Sequence, residues 1–230
     1  MSKRWKEYFS GYNAFESDWL KSAVLHWGFH ETLYGNIISV CPPPARIIDV
    51  GCGPGWSAIY LASLGYEVVG LDNEQSLVVL ANENAHRLGS RARFICGDAF
   101  DLLSLEQQFD LAYSCGVLEH FDRHVTIDLL KQQANCAKYV LIQIPSRFTA
   151  YTGEITDERI YSISELKGIV RDAGLDVKKS FGYGELSVTK IHFVLRQILP
   201  RAMWRFLQNM GYSFALAVIG SSSSKIDKSN

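Results

Sequence analysis

The segment from Ile47 to Gly55 (IIDVGCGPG) constrains the fold more than any other part of the chain. A short apolar run, typical of a buried strand, carries Asp49 near its end and is followed by Gly51, Gly53 and Gly55. Glycine adopts backbone conformations closed to other residues and has no Cβ to block a ligand lying against the main chain. Ligands of open α/β sheets bind outside the carboxyl ends of the strands, near the switch in strand order. The segment therefore predicts a strand, a tight turn and a helix, with a binding site at the turn.

Short apolar runs alternate with longer amphipathic stretches after a proline-rich break at residues 41–44. Seven runs are predicted strands, at residues 46–50, 67–71, 92–96, 109–114, 139–144, 175–181 and 213–220. Helices are predicted at 56–64, 74–88 and 122–136, and from the capping-box spacing of Ser162 and Glu165 to Ala173. The alternation predicts an α/β fold with a doubly wound, mostly parallel seven-stranded sheet covered on both faces.

The predicted organisation has three parts: a helical lid or cap over residues 1–40, an α/β domain over 41–220 with inserted helices at about 186–211, and a flexible tail over 221–230. Aromatic residues in the first part recur at helical spacing. They are Trp5, Tyr8, Phe9, Tyr12, Phe15 and Trp19. Tyr8, Tyr12, Phe15 and Trp19 are candidates to shape an acceptor pocket, and packing against the sheet's helical layer is the alternative.

Composition limits the function classes. With 230 residues, 47% of them hydrophobic and 20% charged, the chain suits one globular domain. A net charge of -1 gives no general basic surface for nucleic acid. Five scattered cysteines without a C-x-x-C pair favour reduced thiols over disulfides or a zinc site. No signal peptide or long apolar span is recognisable, so we expect a soluble, cytoplasmic protein.

From about Arg46 to Ile144, the sequence resembles the class I S-adenosylmethionine (SAM)-dependent methyltransferases, in particular their small-molecule branch. Four motifs carry the resemblance: DVGCGPG at 49–55, GYEVVGLD at 65–72, GDA at 97–99 and FDLAYSCGVLEH at 109–120. The resemblance implies that SAM is the cofactor and that the chain transfers its methyl group to a small molecule.

The same resemblance implies a set of cofactor-binding residues. Asp72 would accept both ribose hydroxyls, and Asp98 would meet the adenine amino group. The full implied set is Asp49, Gly51, Cys52, Gly53, Gly55, Asp72, Asn73, Asp98, Ala99, Ser114 and Cys115.

Two other functions stay open. Residues 53–58 also satisfy the dinucleotide pattern G-x-G-x-x-A, and Asp72 lies at a suitable distance to bind the ribose of NAD. The chain could therefore be an oxidoreductase that uses NAD or NADP. A binding domain that retains SAM but is catalytically silent is the other alternative. The acid before the glycines, GDA and LEH together favour the methyltransferase.

His120 is the candidate general base, because imidazole titrates near neutrality and its position after the fourth strand points it to the cleft. Ordering of the loop by His120 is the alternative. Two histidine pairs have i, i+4 spacing, His26 with His30 and His120 with His124, but neither has a third ligand in sequence, so no metal is expected.

The acceptor is predicted to be a small molecule rather than nucleic acid. DNA amino-methyltransferases carry [DN]-P-P-[YF] after the fourth strand, where this chain has Ser114-Cys-Gly-Val117. The region from Leu186 to Lys225 contains basic residues and no acidic one. It could contact a membrane surface or form a solvated face on the inserted helices.

Overall fold

The computed structural model describes residues 19–149, 158–184, 194 and 197–222. Six α-helices of the described residues are bounded as follows: α1 Trp19–Val40, α2 Trp56–Ser63, α3 Gln75–Arg87, α4 Arg123–Cys136, α5 Ile163–Asp172 and α6 Arg201–Asn209. The strands are β1 Arg46–Val50, β2 Glu67–Asp72, β3 Arg93–Cys96, β4 Phe109–Cys115, β5 Ala137–Pro145, β6 Leu175–Tyr183 and β7 Ala215–Ser222. Two short 3₁₀ helices, Leu102–Leu105 and Leu118–His120, flank β4 and were not predicted.

The seven strands form one sheet in the order β3-β2-β1-β4-β5-β7-β6. Strands β1 to β5 pair in parallel, whereas β7 is antiparallel to both β5 and β6. The predicted α/β class and the mostly parallel seven-stranded sheet are thus confirmed. The strand order reverses between β1 and β4, which makes the carboxyl ends of these two strands the expected place for a ligand.

Each face of the sheet is closed by its own apolar layer. One layer joins Leu33 and Ile37 of α1 and Leu61 of α2 to the sheet, and the other joins Leu129 and Leu130 of α4 to the opposite face. Residues along a strand alternate between these layers because successive side chains point to opposite faces. A parallel sheet covered on both faces accounts for the almost continuous apolar runs in the sequence.

Local signals fix several helix ends. The capping box predicted at Ser162 and Glu165 is present in both directions, with the Glu165 amide donating to Ser162 Oγ at 3.2 Å and the Ser162 amide donating to Glu165 at 2.8 Å. Reciprocal capping satisfies two amides that the first turn of α5 leaves free. The apolar face of α5, with Leu166, Ile169 and Val170, is buried.

The predicted flexible tail begins too early. Ser221 and Ser222 belong to β7 and are buried, paired with Asp176 and Leu175 of β6. Their small side chains fit a covered strand end, and the ladder from β6 satisfies their main chain. Residues 223–230 of the tail lie outside the described part of the chain.

The predicted lid is described only in part. Residues 1–18, and with them Tyr8, Tyr12 and Phe15, lie outside the described residues, and Trp19 is described only as the first residue of α1. The later turns of α1 pack on the sheet, where Leu33, Tyr34 and Ile37 are almost fully buried. This stretch of residues 1–40 is therefore part of the core layer.

Candidate functional site

The glycine-rich turn after β1 has the backbone that its sequence predicts. Gly51, Gly53 and Gly55 have φ values of 75°, 52° and 87°, in the left-handed region that favours glycine. The amides of Gly51 and Cys52 both donate to the carbonyl of Leu71 in β2, at 2.8 and 3.0 Å. The turn is therefore fixed to the neighbouring strand at the carboxyl edge of the sheet.

The space beside two of these glycines is taken by the chain itself. A Cβ on Gly51 would lie 2.5 Å from Cγ2 of Val117, and one on Gly55 would lie 2.7 Å from Cζ of Phe94. The sequence predicts that the missing Cβ atoms of these glycines leave room for a ligand. At Gly51 and Gly55, the missing Cβ instead lets Val117, in the loop after β4, and Phe94 of β3 pack against the turn.

Asp72 faces the turn, as the sequence predicts. Its Oδ2 accepts a hydrogen bond from the amide of Gly53 at 2.9 Å, and its Oδ1 accepts one from the amide of Glu74 at 3.0 Å. Burial raises the pKa of Asp72, and hydrogen bonds from the backbone amides of Glu74, Gly53 and Asn73 oppose that rise. A carboxylate offers about four acceptor positions, so these three amides leave acceptor capacity for a ligand hydroxyl. Asp72 thus holds the turn as well as being available to a ligand.

Asp49 is a buried acid with an unused acceptor. The carboxylate accepts a hydrogen bond from the amide of Ala58, yet its Oδ2 has no hydrogen-bond partner among the residues that the structure describes. Burial, and then the charge of Asp72, raise the pKa of Asp49 from its ordinary value of 3.8 to about 7. A buried acceptor without a partner is costly. This corner of the site therefore favours a ligand that brings a hydrogen-bond donor or a positive charge.

Replacing Asp49 by asparagine is expected to stabilise the ligand-free protein more at pH 8 than at pH 5. Because the folded state raises the pKa of Asp49, its proton is held more tightly than in the unfolded chain, so wild-type stability falls as the pH rises from about 4 to about 7. At about 1.36 kcal/mol per pKa unit, the loss is on the order of a few kcal/mol. Urea unfolding of both proteins at the two pH values measures it. If the free energies of unfolding of wild type and variant differed by the same amount at pH 5 and at pH 8, the raised pKa of a buried Asp49 would be contradicted.

The structure brings the other implied cofactor residues to the same edge with different orientations. Asn73 and Asp98 are exposed, and Asp98 Oδ1 accepts from the amide of Phe100 at 2.9 Å. Ala99 is half-buried. Ser114 is an exception, because its side chain is buried on the α4 side, 3.5 Å from Nε2 of Gln133. Its hydroxyl is thus turned away from the turn.

The two cysteines predicted beside the cofactor are not nucleophiles in this geometry. Cys52 is buried in the turn, and burial raises the pKa of its thiol well above the usual range. Cys115 donates to Oε1 of Gln143 in β5, and burial raises the pKa of this thiol to about 12. Both thiols remain protonated near neutral pH.

A cluster of three buried tyrosines under α1 was missed in the sequence. Tyr34 of α1, Tyr113 of β4 and Tyr183 of β6 are almost fully buried. Ser57, at the start of α2, lies 3.4 Å from the hydroxyl of Tyr113 and hydrogen-bonds Tyr34. Burial raises the pKa of all three phenols, so they are neutral hydroxyls. Tyr113 is the register partner of Asp49, so the cluster adjoins the turn.

A second missed residue secures the turn from the helix side. Asn84 of α3 is buried, and its Nδ2 donates to the carbonyl of Pro54 at 3.0 Å. The available signal was Asn84 itself, a polar residue on the otherwise apolar face of a predicted helix. A buried amide side chain normally has a hydrogen-bond partner, so its position indicates a specific contact.

Three titratable side chains meet at the loop after β4. Glu119, His120 and Glu158 each offer a ligand atom, and these atoms lie within 4.8 Å of one another. Burial raises the pKa of Glu119 to about 8. Burial lowers the pKa of His120, and the charge of Glu158 opposes the decrease. His120 therefore lies at the carboxyl edge of β4, as predicted. Its neighbour Glu119 belongs to the same LEH motif, whereas Glu158 is distant in the sequence.

Helix α6, in the basic C-terminal region, packs on β6, and its Trp204 is buried. Met203 and Phe206 of α6 are exposed, as are Arg201, Arg205 and Met210, which directly follows the helix. The predicted insertion at about 186–211 is described only at residue 194 and from 197 onward. Within the described residues, no helix combines the length and the apolar character that a membrane crossing needs.

A separate cleft of about 470 Å³ lies at the opposite edge of the sheet. It is lined by Arg46 and Glu67, which begin β1 and β2, and by Arg93, which begins β3. None of the residues predicted to bind a cofactor lines it. The turn after β1 and Asp72 lie at the other, carboxyl edge of the sheet.

Comparison with known proteins identifies a methyltransferase domain within the chain. Residues 47–139, which run from β1 into β5 and include the turn, match the family described as "Methyltransferase domain". These residues form a class I SAM-dependent methyltransferase domain. The fold agrees, since magnesium protoporphyrin IX methyltransferase from Synechocystis PCC 6803, solved with bound S-adenosylhomocysteine, aligns with a TM-score of 0.64 over 95% of this chain and 98% of that one, at 15% identity.

Curated relatives of the methyltransferase domain match over shorter stretches. The ubiquinone biosynthesis O-methyltransferase of Azorhizobium caulinodans is 35% identical over 75 residues, 33% of this chain and 30% of that protein. The ribosomal RNA small subunit methyltransferase C of Alcanivorax borkumensis is 39% identical over 57 residues, 25% of this chain and 18% of that protein. The chain thus spans less than a third of each of these two relatives, whose names point to acceptors of different kinds.

Proposed function

We propose that the protein transfers the methyl group of SAM to a small-molecule acceptor. The observation that carries the proposal is the buried, partly unpartnered carboxylate of Asp49 beside Asp72, at a glycine-rich turn. SAM supplies a methyl group on a positively charged sulfur and leaves as neutral-sulfur S-adenosylhomocysteine. The carboxylate of Asp49 suits a positively charged group of this ligand, because a positive charge favours an ionised acid nearby.

The same charge pattern weighs against the dinucleotide alternative. In an NAD-binding site, the turn and helix start receive a doubly anionic pyrophosphate. The buried carboxylate of Asp49 close to that position would repel the pyrophosphate, because like charges in a buried site raise each other's energy steeply. Burial, and after it the charge of Asp72, already raise the pKa of Asp49.

Each residue of the site has a role in the proposed reaction. Asp72 holds the turn through Gly53 and offers its remaining lone pairs to ribose hydroxyls. Asp49 stabilises positive charge. The acceptor lies at the carboxyl edge of β4, where His120 promotes loss of the acceptor proton as a general base. The acceptor atom forms a bond to the methyl carbon while the carbon–sulfur bond breaks, so alignment of the three atoms is the main demand on the protein.

A small molecule is the favoured acceptor. The segment that follows β4 lacks the [DN]-P-P-[YF] element that holds a flipped base, and the formal net charge is -1. The relatives named for ubiquinone biosynthesis and for protoporphyrin have small-molecule acceptors in their names. A ribosomal RNA acceptor is the second candidate, on the strength of the Alcanivorax borkumensis relative.

A screen with methyl-labelled SAM tests the acceptor class. The purified protein is incubated with panels of phenols, carboxylic acids, amines and thiols, and in parallel with ribosomal RNA and with protein. We expect label in a small molecule and none in RNA. Label in RNA alone would overturn the small-molecule proposal, and SAM binding without transfer to any panel would support the catalytically silent domain.

A further inference from the structure

We propose that Glu119, His120 and Glu158 form a binding site for one divalent metal cation at the carboxyl edge of β4. Their ligand atoms lie within 4.8 Å of one another, close enough to converge on one ion. The sequence predicted no metal because only the histidine pairs at i, i+4 spacing were visible. Glu158 comes from the segment before α5 and reaches the loop only through the fold.

Glu119 provides an independent sign of a missing ligand. The residue is only 2% exposed, and its Oε2 has no hydrogen-bond partner within the described part of the chain. A buried carboxylate oxygen without a partner is costly unless a proton or a cation meets it. The two nearest ligand groups, the His120 imidazole and the Glu158 carboxylate, are themselves typical metal ligands.

The cluster is held in place from two sides. The amide of Arg159 donates to the carbonyl of Glu119 at 2.9 Å, and Nη2 of Arg159 donates to Oδ1 of Asp122 at 2.6 Å. These contacts tie the segment carrying Glu158 to the loop that carries Glu119 and His120. A site built from positions already fixed by the fold loses little freedom when an ion binds.

The mixed ligand set favours a metal over an organic ammonium group. Two carboxylates and one imidazole suit Mn²⁺ or Zn²⁺ better than Mg²⁺, which prefers oxygen ligands, and three protein ligands leave positions for water or for an acceptor oxygen. The consequence for catalysis rests on the proposed function: a cation bound here would lower the pKa of a hydroxyl acceptor, and His120 would then act as a metal ligand instead of as the general base.

Titration of the chelator-treated protein with Mn²⁺, followed by electron paramagnetic resonance of the free ion, tests the site without SAM or acceptor. Wild type is expected to bind one Mn²⁺ per chain, and Glu158→Gln to bind at least about tenfold more weakly. Glu119→Gln should show the same loss. His124→Gln is the matched control, because this exposed histidine of α4 lies outside the cluster. Competition by Mg²⁺ and Zn²⁺ then ranks the ions.

Two results would overturn the metal site: no Mn²⁺ binding by wild type, or equal binding by wild type and Glu158→Gln. Glu158 is half-buried and glutamine keeps its shape, so this variant is expected to fold even if Glu119→Gln does not. Calorimetric titration with SAM in the same samples separates the two proposals. Intact SAM binding without Mn²⁺ binding removes the metal alone, whereas absent SAM binding by wild type removes the proposed function.

Discussion

Replacing His120 by glutamine is expected to lower the rate of methyl transfer by roughly 100-fold or more, which is the usual contribution of a positioned proton-transfer group. The affinity for SAM should change little, because His120 lies in the loop after β4 whereas Asp49 and Asp72 lie at the ends of β1 and β2. Glutamine keeps hydrogen-bonding capacity but can neither accept a proton near neutral pH nor replace an imidazole ligand well. The measurement is steady-state turnover with an acceptor from the labelled screen, together with SAM affinity by calorimetry.

The control for this variant is His124→Gln, one helical turn further on, which should keep wild-type turnover. Wild-type turnover in His120→Gln would remove His120 from the reaction and leave it the role of ordering the loop. A direct base and a metal ligand predict the same loss of rate, and the Mn²⁺ titration distinguishes these two roles.

Replacing Asp72 by alanine is expected to weaken SAM binding roughly 10- to 100-fold. Each hydrogen bond between a carboxylate and a ligand hydroxyl contributes about 1.5–3 kcal/mol, and each 1.4 kcal/mol is about tenfold in affinity. The same change also removes the acceptors for the amides of Gly53 and Glu74, so the turn itself is expected to loosen. Calorimetric titration with SAM measures the affinity.

Asp72→Asn helps to separate these two contributions. Asparagine keeps one acceptor oxygen, so its SAM affinity should fall between those of wild type and Asp72→Ala. Asp128→Ala, on the exposed surface of α4, serves as the control for a lost carboxylate. Wild-type affinity in a folded Asp72→Ala protein would show that Asp72 does not contact the ligand.

Much of the fold could be predicted because its signals are local. The strand that ends at Asp49 and Val50, the turn glycines with positive φ and the Ser162–Glu165 capping box each depend on neighbouring residues alone. Regular alternation of apolar runs and amphipathic stretches then specifies a parallel, two-faced sheet. These features follow from backbone stereochemistry and burial, which act over a few residues at a time.

The remainder depends on contacts between distant residues. The strand beside which β7 pairs is decided by contacts between residues far apart in the sequence. In the structure β7 lies between β5 and β6, and Ser221 and Ser222 pair with β6. Val117 fills the space beside Gly51, and Glu158 reaches His120, only once the chain has folded. No periodicity or motif spacing encodes such pairs, so the outline of the site could be predicted but its inner lining could not.

We propose that the buried acids Asp49 and Asp72 make the glycine-rich turn a site for a cationic adenosyl ligand. Calorimetric titration of the wild-type protein with SAM, NAD and NADP in turn tests it most directly. The expected result is one SAM bound per chain, with no heat of binding from either dinucleotide. Binding of NAD or NADP with none of SAM would contradict the claim.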